Sequence, residues 1–343
     1  MAMDELYAVI MAGGRGTRFW PASVAERPKQ FMDLLGGGTM LQLTAGRFRG
    51  LTGNGGVLVV TGARHESTVL SQLPMLPGEN LLLEPMGRNT AACIGWAAET
   101  LRRRGLGGKV MAVAASDHMI EPLEGFESTM RKAAELAEKG YLCTIGIPPD
   151  HPATGYGYIR RGAPVHPGWK VMDFKEKPDR GTAEKYMASG EYFWNSGMFL
   201  WKADVFLGEL SLHMPDLFRS IQSMPDTTRP EADIYRELEA ISVDYAVMEK
   251  TDRAVMVPAE FSWSDIGDWP GAKKAGVGRG EVILLDSGNT LVYDETGRLT
   301  VLVGVKDLSV VVTERATLVM ADSSSQKIKQ IVERLDRDRP EMV

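Results

Sequence analysis

The chain has 343 residues, 44% of them hydrophobic, and a formal net charge of −6. That length can bury one large core, or one large core with a small satellite domain. The acidic balance excludes a surface that holds nucleic acid by general positive potential, so an anionic ligand must be gripped by a few local cations and backbone amides.

At the N-terminus, Asp4 and Glu5 precede the apolar run LYAVIMA. The run lacks the basic flank of a signal peptide and the length of a membrane span, so it is expected to be a buried strand, with no membrane partner. It is followed by the turn GGRGTR, and the same grammar recurs: VLVVTG precedes ARHESTVLSQL, and KVMAVAASDH precedes the helically spaced FESTMRKAAELAEKG. Such alternation predicts a mostly parallel sheet with helices on both faces, whose ligands sit at the carboxyl ends of the strands. Cys93 and Cys143 lie inside the apolar stretches TAACIGWAA and GYLCTIGI, without the spacing of a disulfide scaffold or a zinc site. A reducing cytoplasm is the compartment that fits. From Gly276 the texture changes to short β-branched runs without helical spacing, predicting a small all-β unit, either a few coils of parallel β-helix or a compact antiparallel sheet. A terminal helix is expected after it, capped from Ser323 to Ser325, with Ile328, Ile331, Val332 and Leu335 forming one apolar stripe for docking or a dimer contact. The expected division is 1–272 and 273–343.

In Gly13-Gly14-Arg15-Gly16-Thr17-Arg18, directly after the first strand, glycines let backbone N–H groups approach phosphate oxygens and arginines supply charge-assisted bonds. The alternative is a dinucleotide turn or a plain tight turn. A third glycine in the G-x-G-x-x-G register and a G-x-x-x-x-G-K-[ST] run are both lacking, which weakens the dinucleotide and P-loop readings. Asp33 sits near the distance of a ribose acid, but Pro21, Pro28 and Gly36 to Gly38 break the segment around it. Arg15, Arg18 and Lys29 remain as cations for one polyphosphate.

The stretch GGRGTRFWPASVAERPKQF resembles the signature of the sugar-phosphate nucleotidyltransferases, and WPxS with PKQF is similar to the mannose-1-phosphate guanylyltransferase branch. The resemblance runs over nearly the whole chain. It implies a Rossmann-like mixed sheet of the nucleotide-diphospho-sugar transferase type, a small left-handed parallel β-helix and a terminal helix. It also implies a soluble homodimer that makes GDP-mannose and pyrophosphate from GTP and mannose 1-phosphate with Mg²⁺. Ala12, Gly13, Gly14, Arg15, Gly16, Thr17, Arg18 and Lys29 would hold the nucleotide and its triphosphate.

The run LLLEPMGRNTAACIGWAA resembles the base segment of that family, placing Glu84, Pro85, Asn89 and Thr90 at the nucleotide. A carboxylate accepts from both N1–H and the exocyclic amine of guanine, whereas adenine has no donor at N1, so Glu84 suits a guanine reader. Glu84 bonded to nearby backbone N–H groups, and Asn89 or Thr90 as a helix N-cap, are the plainer alternatives. SDH and WSDIGDW look like the two metal segments, implying Ser116 near the nucleotide, Asp117 and Asp265 as Mg²⁺ ligands, and Asp268 as a cap or supporting group. His118 would orient neighbours, because Mg²⁺ prefers oxygen.

Between them, GYGYI, FKEKP and WNSGMFLW match the sugar-binding segments in order, implying Gly157, Glu176 and Asn195 on mannose, Lys177 on its phosphate and Asp244 near the sugar. No nucleophile–base dyad is recognisable, and none is required, because the second pKa of a phosphate monoester lies near 6. A related enzyme with another NTP or sugar, a non-catalytic nucleotide-sugar-binding subunit, and an NAD-dependent oxidoreductase are the competing readings. Many bacterial relatives carry a further isomerase domain with histidine-rich metal sites; that pattern is not visible here, and phosphomannose isomerase activity is not expected.

Overall fold

The computed structural model describes residues 6–224 and 231–343; Asp4 and Glu5 lie outside the described residues. By internal contacts the chain forms two compact units. One comprises Met1–Ala12, Ala45–Ala115 and Ile120–Trp263, the other Gly13–Thr44, Ser116–Met119 and Ser264–Val343.

The first unit is built on a nine-stranded sheet. Its strands are β1 (Leu6–Ala12), β2 (Thr52–Gly62), β3 (Leu81–Glu84), β4 (Val110–Ala115), β6 (Leu142–Ile147), β7 (Tyr158–Val165), β8 (Gly168–Lys175), β9 (Tyr192–Lys202) and β10 (Ala254–Pro258), in the order β3-β2-β1-β4-β9-β6-β10-β8-β7. Short strands β5 (Met119–Glu121) and β11 (Ser262–Ser264) mark points where the chain changes unit. LYAVIMA and VMAVAA are apolar at nearly every position because β1 and β4 are central and covered on both faces. Strands β1 to β4 are mutually parallel, as is β6 with β10, but β9 enters between β4 and β6 antiparallel to both. The sheet is therefore mixed, and the parallel grammar of the first half of the sequence stops at β9.

Helices cover the sheet. The first is α1 (Met40–Phe48), and α2 (Glu66–Gln72) follows β2. On one face, Val9, Met111, Val113 and Trp201 pack with α3 (Asn89–Leu101), α6 (Ala203–His213), α7 (Pro215–Ser223) and α8 (Glu231–Glu237). The buried residues of α4 (Leu123–Glu138), Phe126, Met130 and Ala133 among them, stand outside that cluster and pack on β4, β6, β9 and β10. α5 (Arg180–Ser189) starts at Asp179, whose carboxylate accepts from the Thr182 N–H at 3.0 Å.

The second unit holds the signature loop and the C-terminal coil. α9 (Trp269–Lys274) is capped by Asp268, which accepts from Gly271 N–H at 2.9 Å. After it, β12 (Val282–Leu285) pairs in parallel with β14 (Thr300–Val303), and β13 (Leu291–Asp294) with β15 (Leu308–Val312). Val282 meets Thr300 and Leu291 meets Ser309, an offset of 18 residues in each case, which is the period of a β-helical coil. Antiparallel β16 (Thr317–Ala321) closes it. The terminal helix is α10 (Ile328–Asp338). Its expected serine cap is absent: Asp322–Lys327 form a 3-10 turn, and Ser325 donates instead to Asp268 at 2.7 Å. Its apolar stripe is narrower than expected, since Ile328 and Val332 are buried while Ile331 is 46% exposed. Both buried residues join Phe19, Trp20, Trp269 and Tyr293 in one core.

Candidate active site

The signature loop and both acidic segments fall within the second unit. Gly16 has φ 60°, and a Cβ there would lie 2.5 Å from Ser23 Oγ and 2.9 Å from Lys29 N, so only glycine lets the loop fold back on the lysine turn. Thr17–Phe19 form a 3-10 turn after it, and Pro28 opens another over Lys29–Phe31. Lys29 is 4% exposed. Its ammonium donates to Asp117 O at 2.9 Å, Asp117 Oδ2 at 3.1 Å and Asp265 O at 2.5 Å, and stands 5.4 Å from the Phe19 ring centre. The lysine thus fastens the two expected metal acids to the loop. Burial alone would raise the Asp117 carboxyl, but Lys29, His118 (Nε2 4.0 Å away) and the lysine hydrogen bond outweigh it and hold the group below the usual aspartate value.

Lys29, Asp117 and Asp265 border a cavity of about 300 Å³ together with Thr17, Arg18 and Lys329. Arg18 reaches Gly267 O at 3.5 Å, while Arg15 points at Asp336 at 3.4 Å and does not line this cavity. Gln30 donates to Gly14 O at 3.3 Å. Ser116 is buried, its carbonyl accepting from Thr44 Oγ1 at 3.2 Å. A larger cavity of about 440 Å³ carries Arg27, Arg279, Arg315, Glu26, Glu295 and Glu314. Arg27 pairs with Glu295 at 2.6 Å and Arg315 with Glu26 at 3.7 Å, so its charges balance and it has no bias toward a polyphosphate.

Base and sugar residues belong to the first unit, as does Ala12, the last residue of β1, whose carbonyl accepts from Thr61 Oγ1 at 2.9 Å. Glu84 ends β3 on the same buried face as Leu82. Its Oε1 takes the Tyr235 hydroxyl at 2.5 Å, so a side chain satisfies it where backbone N–H groups were the plainer expectation. Burial raises the Glu84 carboxyl above its usual value, and the tyrosine bond partly offsets that rise. The Tyr235 ring lies 5.2 Å from Trp96, and burial with the nearby carboxylate pushes its hydroxyl far upward, so it remains a donor. Pro85 follows, partly exposed. At the start of α3 the N-cap position is Arg88, without a side-chain cap. Asn89 has φ 63° and accepts from Thr90 N–H, while Thr90 Oγ1 accepts from Val243 N–H at 2.9 Å and so ties a distant segment to the helix.

The sugar segments converge around Asn195. Gly157 O accepts from Asn195 N–H at 2.8 Å, and a Cβ on Gly157 would lie 2.6 Å from Glu176 Oε2. Asn195 Nδ2 donates to Asp244 Oδ1 at 2.9 Å, and its Oδ1 accepts from Gly197 N–H and Thr144 Oγ1. Asp244 opens a π-helical turn, Asp244–Met248. Burial first, and then Glu176, raise its carboxyl, with the Asn195 bond opposing. Lys177 pairs with Glu176 at 2.5 Å and has φ 46°, a left-handed residue that turns the chain out of the strand. Tyr156 packs between Trp194 and Trp263, each ring centre 5.1 Å away, an aromatic cluster that the glycine-tyrosine pattern did not reveal. Tyr235 and Lys329 were likewise not legible as site residues.

The chain has relatives of known family by sequence and by fold. A family model described as nucleotidyl transferase matches residues 7–276, and one described as MannoseP isomerase/GMP-like beta-helix domain matches 280–335. The mannose-1-phosphate guanylyltransferase of Escherichia coli (strain K12) is 42% identical, covering 98% of this chain and 75% of that protein. The mannose-1-phosphate guanylyltransferase ManC of Salmonella typhimurium (strain LT2) is also 42% identical with the same coverage. The crystal structure described as mannose-1-phosphate geranyltransferase from Thermus thermophilus superposes with a TM-score of 0.91 at 29% identity, covering 97% of this chain and 99% of that one. By sequence and by fold the chain belongs to the nucleotidyl transferase family, in its mannose-1-phosphate guanylyltransferase branch.

Proposed function

We propose that this protein joins GTP and α-D-mannose 1-phosphate to give GDP-mannose and pyrophosphate. The observation that carries the reading is the single cavity on which the signature loop, Lys29, Asp117 and Asp265 meet. A phosphate oxygen of mannose 1-phosphate, largely deprotonated at pH 7, attacks the α-phosphorus of GTP in line; the bond to the β-phosphate breaks and pyrophosphate leaves. The backbone from Ala12 to Gly16, Thr17 and Arg18 orient the triphosphate, and Arg15 and Lys29 supply positive charge beside the leaving group. Ser116 supports the Asp117 turn. Glu84, with Pro85, Asn89 and Thr90, serves the base; Gly157, Glu176, Asn195 and Asp244 serve the mannose, and Lys177 its phosphate.

Enzymes of this family use a divalent metal, and we assign Mg²⁺ to Asp117 and Asp265. The donor set suits that ion: two carboxylates border the cavity, and the described residues hold no cluster of three or more ligating side chains. Mg²⁺ commonly binds through one or two carboxylates and completes its shell with water and substrate phosphates. When bound it would neutralise charge on the reacting phosphates.

We further place the catalytic region at 1–272 and the appended region at 273–343, a division supported by family models that meet between residues 276 and 280. A homodimer in the cytoplasm completes the reading. The paired strands β12 and β14 present Ile283, Leu285, Val301 and Val303, each at least half exposed, as an apolar face for a second copy. Both cysteines are free and buried, and no helix among the described residues is long and apolar enough to cross a membrane. Pyrophosphate release, screened with GTP, ITP, ATP and dTTP against several sugar 1-phosphates, tests the reaction. Strongest release with GTP and mannose 1-phosphate is expected; release with another pair alone refutes the substrate assignment. Light scattering tests the dimer, and a monomer at micromolar concentration refutes it.

A further inference from the structure

The geometry points to Lys329, on the terminal helix α10, as a phosphate-binding residue of the polyphosphate cavity. The inference rests on the reading that this cavity receives the triphosphate. Three observations within the second unit carry it. Lys329 lines the cavity beside Lys29, Asp117 and Asp265. Lys29 is committed to three oxygens and Arg15 faces Asp336 outside the cavity lining, whereas Lys329 has no hydrogen-bond or ion-pair partner among the described residues and is exposed. The helix is fixed against the loop: Ile328 and Val332 share a core with Phe19 and Trp20, and the Trp20 indole donates to Met342 O at 2.8 Å.

Periodicity explains how one helix does both tasks. Lys329 and Asp336 are seven residues apart, two turns of α-helix, so they share a face about 10 Å apart along the axis. Asp336 meets Arg15 at one end of that face, and Lys329 meets the cavity at the other. A triphosphate brings several negative charges to a cavity that already holds two carboxylates and where Lys29 is engaged by the Asp117 carboxylate and two backbone carbonyls. An unpaired ammonium on the rim offsets that excess, and phosphate gains a charge-assisted hydrogen bond without breaking an existing ion pair.

Calorimetric titration of the whole protein with inorganic tripolyphosphate tests this without requiring turnover. Lys329→Ala is expected to weaken binding by roughly tenfold, the size of one charge-assisted contact. Lys329→Arg should retain most of the affinity, and Lys327→Ala, an exposed charge on the same segment outside the cavity lining, should leave it unchanged. In turnover assays Lys329→Ala should raise KM for GTP and leave KM for mannose 1-phosphate unaltered. Equal tripolyphosphate affinity in wild type and Lys329→Ala, an equal loss in Lys327→Ala, or no binding to the wild type overturns the assignment. Tripolyphosphate binding that depends on Lys329 in a protein inactive with GTP and mannose 1-phosphate would sustain the site and refute the substrate reading.

Discussion

Tyr235→Phe removes one oxygen from the interior and nothing else, and its effect should depend on pH. The Tyr235 hydroxyl donates to Glu84 Oε1 at 2.5 Å, and Glu84 is 7% exposed. Losing a hydrogen bond to a buried charged group costs about 1.5–3 kcal/mol, against about 0.5–1.5 kcal/mol when both partners are neutral. Burial raises the Glu84 carboxyl above its ordinary 4.5, and the tyrosine bond lowers it. A raised carboxyl disfavours the fold once ionised, so its stabilising share is complete below 4.5 and is lost as pH rises through the folded value. Without the hydroxyl the folded value climbs further, and the variant loses more than wild type on the alkaline side. Urea unfolding followed by tryptophan fluorescence suits the measurement, because Trp96 lies 5.2 Å from the Tyr235 ring. The variant should be about 2 kcal/mol less stable at pH 8 and at most about 1 kcal/mol less stable once Glu84 is protonated. Glu84→Gln should remove most of the pH dependence of that difference. A loss that is the same at both pH values, or that survives unchanged in Glu84→Gln, refutes the coupling.

Three further substitutions probe the two units separately. Asp117→Asn should lower turnover by about a thousandfold or more while preserving the circular dichroism spectrum. Because the Asp117 carboxyl lies below its usual 3.8, its stabilising share is present at neutral pH and lost as pH falls through the folded value, so the variant should be modestly less stable at pH 7 and equal to wild type in acid. Gly157→Ala should fold normally, since the atom it meets is the movable end of Glu176, but should raise KM for mannose 1-phosphate by about tenfold with KM for GTP unaltered. Asp244→Asn removes a carboxyl raised by burial and by Glu176, so thermal melts should show it more stable than wild type at pH 8, the gain shrinking as the pH falls and Asp244 takes up its proton.

Much of this was legible because it is local. LYAVIMA reads as a covered strand, the glycines after it read as a tight loop, and Pro28 sets the turn that carries Lys29. What escaped depends on partners far along the chain. Glu84 has the chemistry of a guanine reader, but its companion Tyr235 is 151 residues away and nothing in LLLEP indicates it. Asn195 and Asp244 meet across 49 residues through a π-helical turn, a local irregularity with no sequence signature. Nothing in WNSGMFLW gives a strand its direction, so the antiparallel insertion of β9 between β4 and β6 was invisible. Serines before α10 have the composition of a cap, but Ser325 was claimed by Asp268, itself already capping α9.

The charge distribution explains how an acidic protein can take two anionic substrates. Lys29, Arg15 and Lys177 each face a carboxylate, so a phosphate that binds any of these three must exchange partners with an existing ion pair. For Arg15 and Lys177, whose side chains are 58% and 62% exposed, that exchange costs little, since exposed pairs are worth at most about 1 kcal/mol. Lys29 differs: its side chain is 5% exposed and it satisfies two backbone carbonyls besides Asp117, so withdrawing it would strand buried acceptors. It is therefore the fixed member of the set, holding Asp117 and Asp265 in place, whereas the exposed cations can exchange partners at little cost. Removing it should loosen Asp117 and Asp265 together, which one substitution at either acid cannot do.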